Sequence, residues 1–131
     1  MTGLDIYRAA SAYLYERDNE DEESKEFSIP FLNTLLMEAL PYENSIRLSK
    51  GMPELETAPT IISLNDTIDY HDSITRVALP YGLAALYFAE NLDNYRGNLY
   101  RAQYLSALGE AARLVPETTY DVYWIGDEMN G

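Results

Sequence analysis

Apolar side chains recur every three or four residues along four stretches of the chain, which is the spacing of amphipathic helices. The first stretch runs from Leu4 to Glu16 and the second from Ser28 to Gly51, a candidate C-cap. The third runs from about Tyr70 to Glu90 and the fourth from about Tyr95 to Leu114. The pattern therefore predicts an all-α fold built as a small four-helix bundle.

The apolar stripes also predict which side chains fill the core, because the apolar face of an amphipathic helix packs inward. Truncating a core side chain usually costs ~2–5 kcal/mol, so these positions are expected to dominate stability. The predicted core residues are Leu35, Leu36, Ile74, Val77, Tyr81, Leu99, Leu105 and Leu108.

Prolines interrupt two of the predicted helices. Pro41 lies within the second helix, where its missing N–H predicts either a kink in one long helix or a division into two. Pro80, Tyr81 and Gly82 lie in the middle of the third helix, and we interpret them as a structural motif. Pro80 shapes a bent helix, and Gly82 lets a neighbouring helix approach the backbone, so Gly82→Leu is expected to destabilise the monomer itself.

Two segments depart from the helical pattern. Residues 51–70 form a proline-punctuated connector, in which the β-branched residues 60–64 predict a short extended piece or edge strand. After Pro116 the chain favours β structure again, with Tyr120, Val122 and Trp124 on one apolar face. We therefore divide the chain into a helical domain, residues 1–116, and a strand-like C-terminal tail, residues 117–131.

An isolated strand is not stable in water, so the tail needs an edge or a groove. Three arrangements remain open for it: the tail folds back on its own bundle, it pairs with residues 60–64 of its own or a neighbouring subunit, or it waits for a neighbouring protein. Truncation after Pro116 is expected to leave a folded bundle that no longer assembles.

Composition adds a strong negative charge to this picture. Nine Lys and Arg against 22 Asp and Glu among the 131 residues give a formal charge of −13. Such a chain repels phosphate, which argues against sequence-specific binding of DNA or RNA and against attachment to an anionic membrane. Six of the acids lie in residues 16–23, which are expected to form a solvated loop. Neither a signal sequence nor a membrane span is evident, so we expect a cytosolic protein.

The residue types that carry most enzyme chemistry are scarce. The chain has no Cys, and its one histidine, His71, lies between acids whose spacing fits no standard zinc site. The acidic block lacks the glycine of a calcium loop. We therefore expect no enzyme activity and no catalytic, metal or cofactor-binding residues. The 12 Tyr are interpreted as bundle and interface residues, because tyrosine combines a large apolar body with a polar tip.

The segment Leu79–Ala85, Leu-Pro-Tyr-Gly-Leu-Ala-Ala, resembles the small head–tail connector proteins of tailed bacteriophages, also called gateway, adaptor or head-completion proteins. The likeness continues through Asp93–Tyr95 into the aromatic–Arg–x–x–Tyr pattern of residues 100–104, and it covers most of residues 4–115. The resemblance implies a helical, non-enzymatic subunit. Such subunits assemble side by side into a ring below the portal and extend the channel for the genome.

The resemblance also implies partners and a location. The subunits form a homo-oligomeric ring of about twelve copies, which contacts the portal protein and tail or stopper proteins. DNA passes through without sequence-specific binding, since acidic groups facing the channel repel its phosphates. The expected location is the virion, after assembly from the host cytoplasm. Because subunits of like charge repel, basic residues are expected at the contacts, with the aromatic tail as a further contact; the candidates are Arg76, Arg96, Arg101, Arg113, Tyr120 and Trp124.

Net charge alone also fits an acidic helical protein that mimics DNA and inhibits a DNA-binding protein. A mimic is expected to space its carboxylates along one face at phosphate-like intervals, whereas here six acids cluster in one block. A small enzyme working through His71 is a third alternative, which the lack of a partner motif disfavours.

Overall fold

A computed structural model describes residues 1–14 and 22–113, and these form a helical bundle. Helix α1 spans Gly3–Tyr13, α2 spans Glu22–Ser49, α3 spans Leu79–Glu90 and α4 spans Asn94–Arg113. A π-helical turn, Ser73–Ala78, leads directly into α3. The predicted all-α bundle is confirmed, and the tail, residues 117–131, lies outside the described residues. No helix in the described part of the chain is both long and apolar enough to cross a membrane.

Helix α2 is one continuous helix, so Pro41 does not divide it. Pro30 and Pro41 are eleven residues apart and therefore lie on the same face, which is exposed. Each proline deprives the carbonyl four residues earlier of its helical partner, and on an exposed face water replaces that bond. The helix also begins at Glu22 rather than Ser28, so the predicted acidic loop is wrong for Glu22 and Glu23. Acids in a first turn are stabilised by the helix dipole.

The third predicted helix differs from expectation at its start and at Pro80. Regular structure begins at Ser73 rather than near Tyr70, and the backbone N–H of Leu79 donates to the carbonyl of Ile74 five residues back. This wide turn runs directly into α3, so Pro80 lies in the first turn of α3 but within a helical backbone that is continuous from Ser73. Its missing N–H leaves a carbonyl of the π turn without a helical partner, and a wide turn of this kind is a common site of such an interruption.

The predicted core is confirmed at four positions and wrong at three. Leu35, Leu36, Ile74 and Leu108 are fully buried, and Tyr81 is partly buried against the core. The side chains that remain roughly half exposed are Val77, Leu99 and Leu105, at 47%, 46% and 45%.

The three exposed positions have two physical causes. The π turn contains more residues than an α turn, so Ile74 and Ala78 point inward and Val77 points out. In α4 the packing face is a different one, made by Gly97, Tyr104, Leu108 and Ala111. A Cβ built on Gly97 would lie 3.4 Å from the backbone nitrogen of Ala89, so α4 runs close to the backbone of α3 at this position.

The revised packing of α4 makes a direct prediction. Leu108→Ala is expected to lower the free energy of unfolding by about 2–5 kcal/mol, since a fully buried leucine leaves a cavity. Leu105→Ala on the same helix is expected to cost under about 1 kcal/mol, because that side chain is half solvated. Urea unfolding followed by circular dichroism measures both values, and equal costs would contradict the assigned packing face.

The connector between α2 and the π turn runs back along α2 and is held by two asparagines. The side-chain amide of Asn44 accepts from the N–H of Leu55 at 2.8 Å and donates to its carbonyl at 2.9 Å. In the same way, the side-chain amide of Asn33 accepts from the N–H of Ile61 at 2.8 Å and donates to its carbonyl at 3.0 Å. Each asparagine therefore replaces the backbone partner that a β-strand would offer.

Residues 60–64 form no strand, so the predicted edge strand is wrong: residues 60 and 61 have no regular structure, residues 62 and 63 form a bend, and a turn begins at Leu64. The Asp66 carboxylate accepts the N–H groups of Ile62, at 2.9 Å, and Ser63, at 3.1 Å. Asn33 accepts the N–H of Ile61, so three successive backbone N–H groups of this segment already have hydrogen-bond partners. Pairing of the C-terminal tail with this segment, one of the arrangements above, would have to break them.

The same connector caps the start of α1. The carbonyls of Asp66 and Leu64 accept the N–H groups of Gly3 and Leu4, at 3.2 Å and 2.8 Å. Thr2 and Asp5 complete the cap by bonding to each other's backbone N–H. Hydrogen bonds from the backbone and side chain of Thr2 lower the pKa of the Asp5 carboxyl. The contribution of this cap is therefore present above the ordinary pKa of an aspartate and is lost as pH falls through the lowered value.

Candidate assembly surface

The outward face of α4 carries a stripe of uncharged side chains. Its members are spaced four, three, four and three residues apart, which places them on one side of the helix, opposite the packing face. Tyr95 at one end is 78% exposed and Leu99 is 46% exposed. We call this the α4 stripe; it consists of Tyr95, Leu99, Ala102, Ser106 and Gly109. Leu105, also half exposed, borders it.

Helix α2 carries a second outward stripe, which is also uncharged. Its members recur every three or four residues, and all six are exposed. Met37 and Leu48 are 69% and 65% exposed. We call this the α2 stripe; it consists of Pro30, Thr34, Met37, Pro41, Ser45 and Leu48. At 1.5 Å per residue the stripe is about 27 Å long, and the α4 stripe is about 21 Å long.

The formal charges of the two helices are opposite. Helix α4 carries three arginines and one glutamate, a net charge of +2. Helix α2 carries five glutamates against one lysine and one arginine, a net charge of −3. In a chain of net charge −13, α4 therefore holds more basic than acidic residues, and each of its arginines is paired with an acid.

Arg101, a predicted assembly contact, forms an ion pair within its own chain. Its guanidinium donates to both carboxylate oxygens of Glu38, at 3.0 Å and 3.1 Å, and lies 5.3 Å from the centre of the Tyr104 ring. The hydrogen bond to Glu38 raises the pKa of Arg101. This bidentate pair ties α4 to α2 inside one subunit. Arg101 therefore already has an acid partner within its own subunit, and its role as a contact between subunits stays a prediction.

The other predicted arginines lie at the surface in weaker pairs. Arg96 lies 3.5 Å from Asp93 and 5.6 Å from the centre of the Phe88 ring. Arg76 and Arg113 lie 3.4 Å and 3.0 Å from acids one turn earlier in the sequence, and their side chains are 65% and 72% exposed. Exposed pairs of this kind contribute little, so these arginines can exchange partners at low cost. Tyr120 and Trp124 lie outside the described residues.

The Pro80–Gly82 motif lies inside the bundle. A Cβ built on Gly82 would lie 2.8 Å from Cδ1 of Tyr104 and 2.9 Å from Cδ2 of Leu35, so this glycine is where α2, α3 and α4 meet. The Tyr81 ring stacks on that of Tyr13, with centroids 4.9 Å apart, and both pack against Tyr100. Burial raises the pKa of the Tyr13 hydroxyl. These tyrosines belong to the bundle, whereas Tyr95 is exposed on the α4 stripe.

His71 belongs to a buried polar network that sequence reasoning missed. Its Nδ1 lies 2.9 Å from Glu43, and its backbone N–H donates to the same carboxylate at 2.8 Å. Arg47 donates to Glu43 at 2.7 Å and to the carbonyl of Asp69 at 2.8 Å. Glu43 is fully buried, so the network fastens the end of the connector to α2. The available signal was a glutamate within the apolar stripe of α2, four residues before an arginine.

Residues 1–14 and 22–113 contain no group of three or more His, Asp or Glu side chains placed to hold a metal ion. What the arrangement does offer is two uncharged outward stripes on helices of opposite charge. No protein-family model, no curated protein and no solved structure matches the chain.

Proposed function

We propose that this chain is a structural subunit of a phage head–tail connector, which assembles into a ring below the portal and extends the DNA channel. The observation that supports the proposal is the α4 stripe. Three of its five members, Tyr95, Leu99 and Ala102, are apolar and follow the spacing of a helix face, yet Tyr95 and Leu99 are exposed. Single exposed apolar residues are ordinary, but a periodic stripe along a helix suits a second helix.

The residues that carry the family resemblance support the same proposal. Pro80, Tyr81 and Gly82 build the junction of three helices, as expected for residues that define a common subunit fold. The negative charge of the chain fits a channel that must let DNA slide, because a lumen lined with acids repels phosphate.

The DNA-mimic alternative receives less support. A mimic needs carboxylates along its outward faces, at intervals that imitate phosphates. The outward stripes of α2 and α4 hold no acid along about 27 Å and about 21 Å of helix. Several of the described acids are instead engaged in pairs within the chain, among them Glu38 and Glu43.

Native mass measured by light scattering tests the proposal, first for the chain alone and then for its mixture with a portal assembly from the same phage. We expect the mixture to form one complex whose mass exceeds that of the portal by about twelve subunits. A DNA-mimic would instead leave the portal unchanged and inhibit a DNA-binding enzyme in a cleavage assay. Absence of any complex with the portal would contradict the connector proposal.

A further inference from the structure

We infer that the α4 stripe of one subunit packs on the α2 stripe of the next copy of the chain. The inference rests on the proposed ring and specifies its contact. Both stripes are exposed, both lack charge and both follow the spacing of a helix face. Two such faces can pack as antiparallel or parallel helices about 8–10 Å apart.

The shapes of the two stripes complement each other. The far half of the α4 stripe is narrow, since it consists of Ala102, Ser106 and Gly109. The α2 stripe carries two long side chains, Met37 and Leu48, about 17 Å apart with the smaller Pro41 and Ser45 between them, so one long side chain can lie against that narrow half. Bulky side chains on one helix fit against small ones on the other, which allows the two backbones to approach closely.

Charge decides between this arrangement and a symmetric one. The Arg101–Glu38 and Arg47–Glu43 pairs are made within one subunit, and without them α4 carries +1 and α2 carries −2. If two copies met through the same stripe, two helices of like charge would face each other. Pairing α4 with α2 instead sets positive against negative. Around the stripes, the exposed Arg96 and Arg113 of one copy meet a helix whose exposed acids include Glu22 and Glu26. Complementary charge of this kind fixes which surfaces meet and penalises the wrong pairings.

A contact between two different faces has a geometric consequence. Each subunit keeps one unused face after its first contact, so a third subunit adds to a pair in the same way as the second did. Such head-to-tail contacts close into a ring when the rotation between subunits permits it. A ring is what the proposed connector requires, whereas a symmetric contact would stop at a dimer.

Two single variants test the inference, one on each stripe. Leu99→Glu places a charge on the α4 stripe and Met37→Glu places one on the α2 stripe; both side chains are substantially exposed, so both variants are expected to fold. The matched control is Ile62→Glu, an equally apolar position that is 86% exposed and belongs to neither stripe. Unchanged melting temperatures establish that each variant keeps the bundle.

Sedimentation velocity over a concentration series then gives the association state. We expect wild type and Ile62→Glu to associate alike, and each stripe variant alone to need at least about tenfold more protein to do so. The decisive sample is an equimolar mixture of the two stripe variants. The Met37→Glu chain keeps its α4 stripe and the Leu99→Glu chain keeps its α2 stripe, so the mixture is expected to form dimers and nothing larger.

Other outcomes separate the inference from the proposed function. Unimpaired association of both stripe variants would overturn the inference, as would a mixture that stays monomeric or a wild type that never associates. Portal binding by those same samples would still support the connector proposal. Conversely, mixed dimers from a chain that does not bind the portal would support the inference and contradict the connector.

Discussion

Replacing Glu43 with glutamine is expected to lower the free energy of unfolding by about 3 kcal/mol, because it leaves the buried Arg47 guanidinium with only the exposed Asp69 carboxylate, 3.5 Å away, as a counter-charge. Glu43 is fully buried. Its carboxylate forms hydrogen bonds with Arg47, at 2.7 Å, and with both the ring and backbone nitrogens of His71. Glutamine keeps the shape but offers one acceptor oxygen and no charge. Equilibrium unfolding in urea, followed by circular dichroism, measures the loss.

Glu38→Gln is the matched control, since Glu38 lies on the same helix as Glu43 and is the acid partner of another arginine, Arg101 on α4. Glu38 and Arg101 are 36% and 41% exposed, so water compensates for the lost charge and the expected cost is below about 1 kcal/mol. If both substitutions cost the same, the network around Glu43 is not the buried anchor described above.

Gly82→Leu is the second substitution expected to have a large effect, with a loss of about 3 kcal/mol or more. Even the first added carbon would lie 2.8 Å from Tyr104 and 2.9 Å from Leu35. Both of those side chains are fully buried and have no space to move into. The bundle must therefore spread where α2, α3 and α4 meet, and the melting temperature is expected to fall steeply.

Gly109→Leu on α4 provides the comparison, because a Cβ at Gly109 meets no atom within 4 Å. There the better helix propensity of leucine is expected to stabilise the chain by several tenths of a kcal/mol. A Gly82→Leu protein with wild-type melting and lost assembly would show instead that Gly82 lies at a subunit contact.

The fold class could be predicted from sequence, because the helical spacing of apolar residues does not depend on how the helices pack together. The inward face of α4 could not be predicted from sequence, because this helix carries apolar residues on two sides. The side of α4 that carries Leu99 and Leu105 faces outward. The core instead receives Tyr104 and Gly97, which a hydrophobicity pattern ranks lower. Periodicity identifies an apolar stripe, but it does not say which molecule covers it.

Other features depended on contacts between distant residues. The π turn before Pro80 changes which side chains point inward, and the pattern of apolar residues around it does not predict such a turn. Asn33 and Asn44 look like ordinary polar positions on a helix until the connector lies beside them. The partnership of His71 with Glu43 joins residues 28 positions apart, so it required the tertiary structure.

The two asparagines that hold the connector have a consequence for how this acidic protein responds to its ionic surroundings. Amide hydrogen bonds join neutral groups, so dissolved salt does not screen them as it screens exposed ion pairs. The half-exposed Arg101–Glu38 pair weakens as ionic strength rises, whereas the bonds of Asn33 to Ile61 and of Asn44 to Leu55 do not. Two of the contacts that keep the long irregular segment in place, in a chain with net charge −13, are thus insensitive to counterions.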